Sequence, residues 1–274
     1  MLSYLYEPIL DYQYDENDLK PIMLDFSPQC KKEILNAYFN KGFAIYEIIN
    51  NNKEIKLFLE ELASFFNLGQ PYKPPIYDNT NLYKDGINKL NISEGAHVAF
   101  QTNKAQDLHC DGTLEEIGLI KTSLLHCVRP AANGGENIIF NSIGAFHNLY
   151  KIGGNRKALE SLLKPNALKR CAINVTGAEY VGPVFKMTNE KLISRFSKDN
   201  TSCWKESFVK DDSIKKAYDL INKLILDEST YSIKFKLEKN QGIIIANDRV
   251  AHGRTAFYDN KRKLYRGLYK EILR

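Results

Sequence analysis

Cysteine is scarce in this chain and never paired at short range. The 274 residues contain five cysteines, Cys30, Cys110, Cys127, Cys171 and Cys203, and no C-x-x-C pair. An odd and scattered set of thiols argues against a disulfide framework, and the missing ligand spacing argues against a thiolate zinc site. The sequence therefore predicts reduced thiols.

Long apolar runs and charge blocks are missing as well. No stretch approaches the roughly 20 apolar residues of a membrane helix, and the acidic start, with DYQYDEND at 11–18, is unlike a signal peptide. The 38 basic and 33 acidic residues give a net charge of +5 that is spread along the chain. We therefore expect a cytoplasmic protein without a nucleic-acid or membrane partner, and its oligomeric state stays open.

The pattern of apolar residues indicates a mainly β fold with flanking α-helices. Helices are predicted at 30–42 and 52–69 around a strand at 42–48, and 70–108 reads as loop or short strand. From residue 116 onward β runs dominate, and they end in GIIIAN at 242–247 and KLYRGLYKEI at 263–272. We expect one domain over 1–274, with an N-terminal arm at 1–27, a core over about 28–272 and a largely helical and loop insertion over about 143–230.

A His-x-Asp pair is the first candidate for chemistry. In an extended strand residues i and i+2 share a face, so His109 and Asp111 could reach one ion while Cys110 points away. Chance alone supplies such a pair in about one sequence in four of this composition. One more imidazole would complete the two-histidine, one-carboxylate set that binds Fe(II) and leaves coordination positions open.

Four other histidines could supply that imidazole. His126 lies in an apolar strand and His147 in a helical stretch, where structural roles are expected, and the neighbours of His97 are uninformative. His252 differs, because it follows the buried-looking run GIIIANDRVA and stands where a core strand is expected to end.

The last β run carries two arginines on one face with two leucines: Arg262, Leu264, Arg266 and Leu268. A buried guanidinium is costly unless an anion meets it. A dicarboxylate ligand would do so through paired hydrogen bonds. The alternative is that one arginine pairs with a core acid while the other is solvated.

These motifs resemble the Fe(II)/2-oxoglutarate-dependent dioxygenases of the taurine dioxygenase (TauD/TfdA) type, the clavaminate-synthase-like group. The matching pieces are HCDGT at 109–113, LLHCVRPAANGGENIIFN at 124–141, NDRVAHGRTAF at 247–257 and RKLYR at 262–266. Together with the early strand GFAIYEI, the likeness spans about residues 28–272. It implies a double-stranded β-helix, or jelly-roll, core.

The resemblance also implies residue roles. His109, Asp111 and His252 match the iron ligands, and Arg262 matches the arginine that holds the remote carboxylate of 2-oxoglutarate. Arg266 matches a second arginine near co-substrate or substrate. Asn137 stands where relatives have a threonine or serine that contacts 2-oxoglutarate, so its amide either substitutes or the contact is lost.

The implied reaction couples dioxygen and the decarboxylation of 2-oxoglutarate to succinate with hydrogen abstraction from a substrate C–H bond. Hydroxylation is the default outcome, desaturation or cyclisation stay possible, and Asp111 stands where related halogenases have a small residue. We expect a small-molecule substrate, an amino acid or its derivative first and a nucleotide or other anionic metabolite second. The competing hypotheses are a non-catalytic β-barrel binding protein and a zinc hydrolase, the latter leaving the arginine pair unexplained.

Overall fold

The computed structural model describes residues 7–49, 53–78, 83–92, 101–173, 175–189, 191–226 and 229–274. Six helices are assigned in these ranges: α1 Pro28–Lys41, α2 Ile55–Phe65, α3 Ser142–Ile152, α4 Arg156–Ser161, α5 Trp204–Lys210 and α6 Asp212–Leu226. The strands are β1 Ile22–Met23, β2 Phe43–Glu47, β3 Ile87–Leu90, β4 Gln106–His109, β5 Thr122–Arg129, β6 Asn137–Phe140, β7 Leu168–Cys171, β8 Glu179–Gly182, β9 Phe185–Thr188, β10 Lys191–Ser194, β11 Ser232–Phe235, β12 Gln241–Ala246, β13 Ala251–Arg254 and β14 Lys263–Tyr269.

Two sheets form the β core. The larger has six strands in the order β1-β2-β12-β5-β14-β3, and the smaller has four in the order β11-β6-β13-β4. Pairing is antiparallel apart from the short parallel contact of β1 with β2. Because β12 and β5 are covered on both faces, they read as nearly continuous apolar runs rather than alternating ones.

The helix before β2 begins and ends where its sequence predicts. The Ser27 hydroxyl accepts a hydrogen bond from the Cys30 amide, Pro28 opens the first turn, and Gly42 ends α1 in the left-handed conformation with φ 84°. A side chain at Gly42 would collide with Val250, so this turn requires glycine in space as well as in conformation.

The chain between β6 and β11 packs helices and two small hairpins against one end of the core. The predicted insertion over about 143–230 begins with α3 and α4, which are separated by Gly153 and Gly154, both at positive φ. The same insertion also contains strands, in the two-stranded sheets β7-β8 and β10-β9, which are followed by α5. Short strands of four residues are hard to predict because alternation is too brief to stand out.

The N-terminal segment, predicted as an arm over 1–27, packs against the core in the part that the structure describes. Ile9 and Leu10 lie in a short 3-10 turn and are fully buried in the main core, and the Tyr14 hydroxyl donates to the Lys41 carbonyl. Residues 7–25 are therefore part of the packed structure. Among the described residues, no helix is long and apolar enough to cross a membrane.

Candidate active site

Side chains from two distant segments of the sequence converge between the two sheets. His109 ends β4 and is paired in register with His252 on β13, and Asp111 follows two residues after the end of β4. Ligand atoms of His109, Asp111 and His252 all lie within 4.8 Å of one another, which is the one such group of three among the described residues. The Nε2 atom of His252 is 3.4 Å from the Asp111 carboxylate, and that of His109 is 3.9 Å from it.

His252 lies inside a strand, not at the end of one. The chain leaves β12 at Ala246, turns through 247–249, and places His252 second in β13. The prediction that His252 stands at the end of a core strand was therefore wrong, because a short turn and a new strand begin before it. The partnership with His109 comes from the register of β13 against β4, which a local pattern does not contain.

His109 is set up as a neutral imidazole. Its Nδ1 lies 2.9 Å from the carbonyl of Asp107, so this nitrogen carries the proton and Nε2 is left with a lone pair. Burial, and then the neighbouring His252, lowers the pKa of His109 to about 4. The Gln106 amide lies 3.2 Å from Nε2 and donates to the same lone pair that a metal would use.

Asp111 is held from both its backbone and its side chain. Its amide donates to the Asn247 side-chain oxygen at 2.7 Å, and the Asn247 amide nitrogen donates back to its carbonyl at 3.2 Å. Ser123 donates to one carboxylate oxygen and Arg266 to the other, at 3.0 Å and 2.7 Å. Burial alone would raise the pKa of Asp111, but Arg266 and then His252 outweigh it and keep this pKa well below its usual range.

Arg170 supports the same turn from the outside. It is buried in β7, and its guanidinium donates to the carbonyl of Cys110 at 2.9 Å, between the histidine and the aspartate of the motif. It also donates to the hydroxyls of Thr201 and Thr113, at 3.0 Å and 3.3 Å. The backbone of the His-x-Asp turn is thus tied to the segment that follows it much later in sequence.

Arg266, in β14, and Arg262, the residue just before this strand, have different environments. Arg266 is bound to Asp111 and donates to the Tyr83 hydroxyl at 2.8 Å. Arg262, although only 4% exposed, has no hydrogen-bonded or ion-paired partner among the described residues, and its guanidinium lies 5.0 Å from the centre of the Phe257 ring. Burial lowers the pKa of Arg262 to about 10, which reflects the cost of this unpaired charge.

Arg262 faces a small cavity that reaches His252. The cavity is lined by Asn137, His252, Arg254, Arg262 and Arg266, among others. Gly134 and Gly135 allow the backbone to pack closely beside Arg262. A side chain at Gly134 would collide with the Ala256 carbonyl, and a Cβ at Gly135 would be 3.3 Å from Arg262 Nε. Three cations around one cavity suit an anionic ligand.

A second cavity of about 100 Å³ opens on the other side of His109 and Asp111. On one wall the rings of Tyr77 and Tyr83 are stacked at 5.1 Å, and on the opposite wall lie Asp199, Asn200 and Thr201. Its lining includes Thr113, Glu115 and Arg266 as further polar groups. Its place beside His109 and Asp111, with aromatic and polar side chains in its lining, makes it the candidate site for a substrate.

The other histidines are in structural positions or outside the described residues. His126 is buried in β5, where its Nδ1 lies 3.1 Å from the Tyr46 hydroxyl, and His147 is buried in α3. Both agree with the structural roles expected for them. His97 falls outside the described residues.

The aromatic and basic residues of the 172–206 region are mostly structural. Trp204 is buried and donates from its ring nitrogen to the Ser197 carbonyl at 2.7 Å. Arg195 is buried with its guanidinium 4.8 Å from the Tyr180 ring, and Lys205 is exposed. None of these side chains lines the cavity beside His109.

Several residues that support Asp111 or its turn could not be predicted from the sequence. Asn247, Ser123, Tyr83 and Arg170 act on Asp111 or its turn across long separations, so no local spacing signals them. Arg254 could have been found, because it is two residues from His252 on the same strand face. Burial, and then Arg262 and Arg266, lowers the pKa of Arg254 to about 9.

Comparison with known proteins agrees with this geometry. Residues 24–268 match the model of the family described as "Taurine catabolism dioxygenase TauD, TfdA family". A uridine-5'-phosphate dioxygenase from an Amycolatopsis species is 34% identical over 260 residues, which cover 92% of this chain and 93% of the relative. Another, from a Streptomyces species, is 30% identical over 245 residues and covers 86% of both chains.

Solved structures of low sequence identity share the fold. The non-heme iron oxygenase OrfP, solved with Fe and alpha-ketoglutaric acid, has a TM-score of 0.64 at 11% identity and covers 89% of this chain and 80% of its own. An asparagine oxygenase solved with Fe(II), a hydroxyasparagine and succinate has a TM-score of 0.61 at 13% identity. The match covers 97% of this chain and 88% of the asparagine oxygenase. The mainly β fold with flanking helices is therefore that of these oxygenases. The chain belongs to the TauD/TfdA family of Fe(II)- and 2-oxoglutarate-dependent dioxygenases.

Proposed function

We propose that His109, Asp111 and His252 bind the Fe(II) of this dioxygenase. The observation that carries the proposal is the convergence of two imidazoles and one carboxylate within 4.8 Å in the cleft between the sheets. Two nitrogen ligands and one carboxylate form the facial set that non-heme Fe(II) enzymes use, and they fit this ion better than a structural zinc site. The low pKa values of His109 and Asp111 leave both groups deprotonated, as ligands must be.

We further propose that Arg262 and Asn137 hold the remote carboxylate of 2-oxoglutarate. Arg262 is buried and has no hydrogen-bonded or ion-paired partner among the described residues, and both side chains line the cavity that reaches His252. A guanidinium and an amide can donate to one carboxylate at the same time. Arg266 is already committed to Asp111 and Tyr83, so its proposed role is to orient the carboxylate ligand rather than to bind the co-substrate.

When bound, iron with 2-oxoglutarate supplies the oxidising chemistry, in which dioxygen is consumed and succinate and CO2 are released. The protein residues do the rest. Ser123, Arg266 and Asn247 fix Asp111, Asp107 fixes the tautomer of His109, and the aromatic wall of Tyr77 and Tyr83 limits water beside the reacting position. The outcome that we propose is hydroxylation of a substrate C–H bond.

We propose a pyrimidine nucleoside monophosphate as the first substrate to test and an amino acid as the second. Two relatives named for uridine-5'-phosphate cover nearly the whole chain at 34% and 30% identity. OrfP, solved with L-canavanine, and the asparagine oxygenase share 11% and 13% identity with this chain and support the fold alone. The stacked Tyr77 and Tyr83 pair beside the cavity also suits a planar base.

Anaerobic titration with Fe(II) and 2-oxoglutarate tests the binding site. We expect the weak visible charge-transfer band of the chelate in the wild-type protein and its loss in Asp111→Ala. Asp219→Ala, which removes an exposed carboxylate on α6, is the matched control and should keep the band. A band of normal strength in Asp111→Ala would contradict the ligand assignment.

Succinate release tests the substrate. The amount of succinate formed is measured with uridine-5'-phosphate, uridine, arginine or asparagine. It is compared with the background, which is the succinate formed from 2-oxoglutarate when no substrate is added. We expect release above background with uridine-5'-phosphate and less with uridine, which lacks the phosphate. Release with an amino acid alone would reverse the order of the two candidates.

We also propose that the two main sheets are the halves of a double-stranded β-helix, and that 1–274 form one domain with an insertion over about 143–230. Support comes from the antiparallel pairing of both sheets and from the site between them. A single cooperative unfolding transition seen by both fluorescence and circular dichroism is expected. Cytoplasmic location and the absence of a nucleic-acid partner stay predictions.

A further inference from the structure

Two of the five cysteines are brought together by the fold. The Sγ atoms of Cys171 and Cys203 are 3.1 Å apart, although the residues are 32 positions apart in the chain. Both are half-buried, whereas Cys30, Cys110 and Cys127 are buried. Because of this partial exposure, a small reagent can reach the pair and not the other three.

Backbone pairing, and not side-chain orientation alone, sets this proximity. The Cys171 amide donates to the Thr201 carbonyl at 2.7 Å, and the Cys203 amide donates to the Lys169 carbonyl at 2.9 Å. Arg170 and Ser202, which directly precede Cys171 and Cys203, form an antiparallel bridge between the two segments. The two sulfurs need to approach by only about 1 Å to reach the length of a disulfide bond, so little of the backbone has to move.

The pair lies at the edge of the cavity beside His109. Ala172 and Ile173, which follow Cys171, line one side of that cavity, and Asn200 and Thr201, shortly before Cys203, line another. A covalent bond between the two cysteines would therefore join two stretches of the cavity wall.

We propose that Cys171 and Cys203 form a reversible disulfide by exchange with a low-molecular-weight disulfide, and that this bond clamps the cavity wall. One cysteine thiolate attacks a sulfur of the reagent RSSR and displaces RS⁻, which leaves a mixed disulfide. The second cysteine thiolate then attacks the protein sulfur of that mixed disulfide and displaces the other RS⁻. The two cysteine protons end on the two released thiols, so the protein loses two hydrogens and RSSR becomes two RSH.

The chemistry is tested on the full-length protein in glutathione buffers of increasing oxidised fraction, followed by acid quenching, alkylation and trypsin. We expect peptides 171–186 and 199–205 to appear joined, two hydrogens lighter than their sum, and to separate after dithiothreitol. Cys30, Cys110 and Cys127 should be alkylated once the protein is unfolded. Mixed glutathione disulfides alone, links to another cysteine, or no reaction in fully oxidised glutathione would overturn the proposal.

Variants and hydrogen exchange complete the test. Cys171→Ser and Cys203→Ser should each abolish the joined peptides, and Cys30→Ser should leave them unchanged. In the oxidised wild-type protein we expect amide exchange at 171–173 and 199–203 to slow at least about threefold relative to the reduced protein. Unchanged exchange in a fully disulfide-bonded sample would refute the clamp. The mapping on wild-type protein keeps the proposal testable if either serine variant fails to fold.

Discussion

The guanidinium of Arg266 lies 2.7 Å from the carboxylate of Asp111, so the cation on the last strand is paired with a residue of the His-x-Asp motif 155 positions earlier. Both side chains are buried. Arg262, just before the same strand, has no such partner among the described residues. The two arginines should therefore respond differently when each is replaced.

Arg266→Met should destabilise the iron-free protein, because it leaves the Asp111 charge buried with less compensation. We expect the free energy of unfolding to fall by about 3 kcal/mol, and Asp111→Asn with Arg266→Met to recover most of it. Urea denaturation provides the measurement. Tyr83→Phe, which removes one hydrogen bond to Arg266, is the control and should cost about 1 kcal/mol. Equal stability of Arg266→Met and wild type would contradict a structural ion pair.

Arg262→Met should weaken 2-oxoglutarate binding without destabilising the fold. Removing an unpaired buried cation relieves a desolvation cost, so the melting temperature without ligand should stay the same or rise. Loss of a paired, charge-assisted contact should raise the apparent Kd for 2-oxoglutarate by about tenfold or more. Thermal shift with increasing 2-oxoglutarate measures both effects. A normal ligand-induced shift in Arg262→Met would exclude it from the co-substrate site.

Arg170→Lys should weaken Fe(II) binding at the proposed site, although Arg170 contacts the side chain of neither His109 nor Asp111. Lysine keeps the charge but lacks the planar fork that reaches the Cys110 carbonyl and the Thr201 hydroxyl together. We expect the Kd for Fe(II), measured anaerobically against a chelator, to rise by about tenfold. Lys205→Met, an exposed cation in the same region, should leave it unchanged. Unaltered iron affinity in Arg170→Lys would limit Arg170 to a packing role.

His126 should make the protein less stable in mild acid. Burial lowers its pKa from 6.5 to about 4 in the folded protein, so between these values the unfolded chain takes up a proton that the folded chain does not. Stability should therefore fall as pH decreases from 6.5 to 4, by about 3 kcal/mol from this residue. His126→Phe combined with Tyr46→Phe removes the titrating group and its hydrogen-bond partner. In urea unfolding at several pH values, the free energy of unfolding of this double variant should change less steeply with pH than that of the wild type. An unchanged slope would mean that His126 is protonated in the folded state.

Much of the fold followed from local periodicity. Strands β2, β5, β12 and β14 stand out in the sequence as β runs, and α1 has Ser27, Pro28 and Gly42 at its ends, so each is visible in a short window. The hairpins around β8 and β10 were not visible, since four residues are too few to show a period. Ile9 and Leu10 were not visible as core residues either, because their burial depends on α1 and α3 packing over them.

The sequence by itself determined the chemistry of the candidate site: the residue types His109, Asp111 and His252, the inward arginines, and their order along the chain. Only the tertiary structure decided which arginine is free, because the pairing of Arg266 with Asp111 depends on how the two sheets face each other. The register of β13 against β4 likewise placed His252 beside His109. The cysteines show the same limit most clearly. Their spacing in sequence predicts separate thiols, and Cys171 and Cys203 meet because backbone hydrogen bonds between β7 and residues 201–203 bring distant segments side by side.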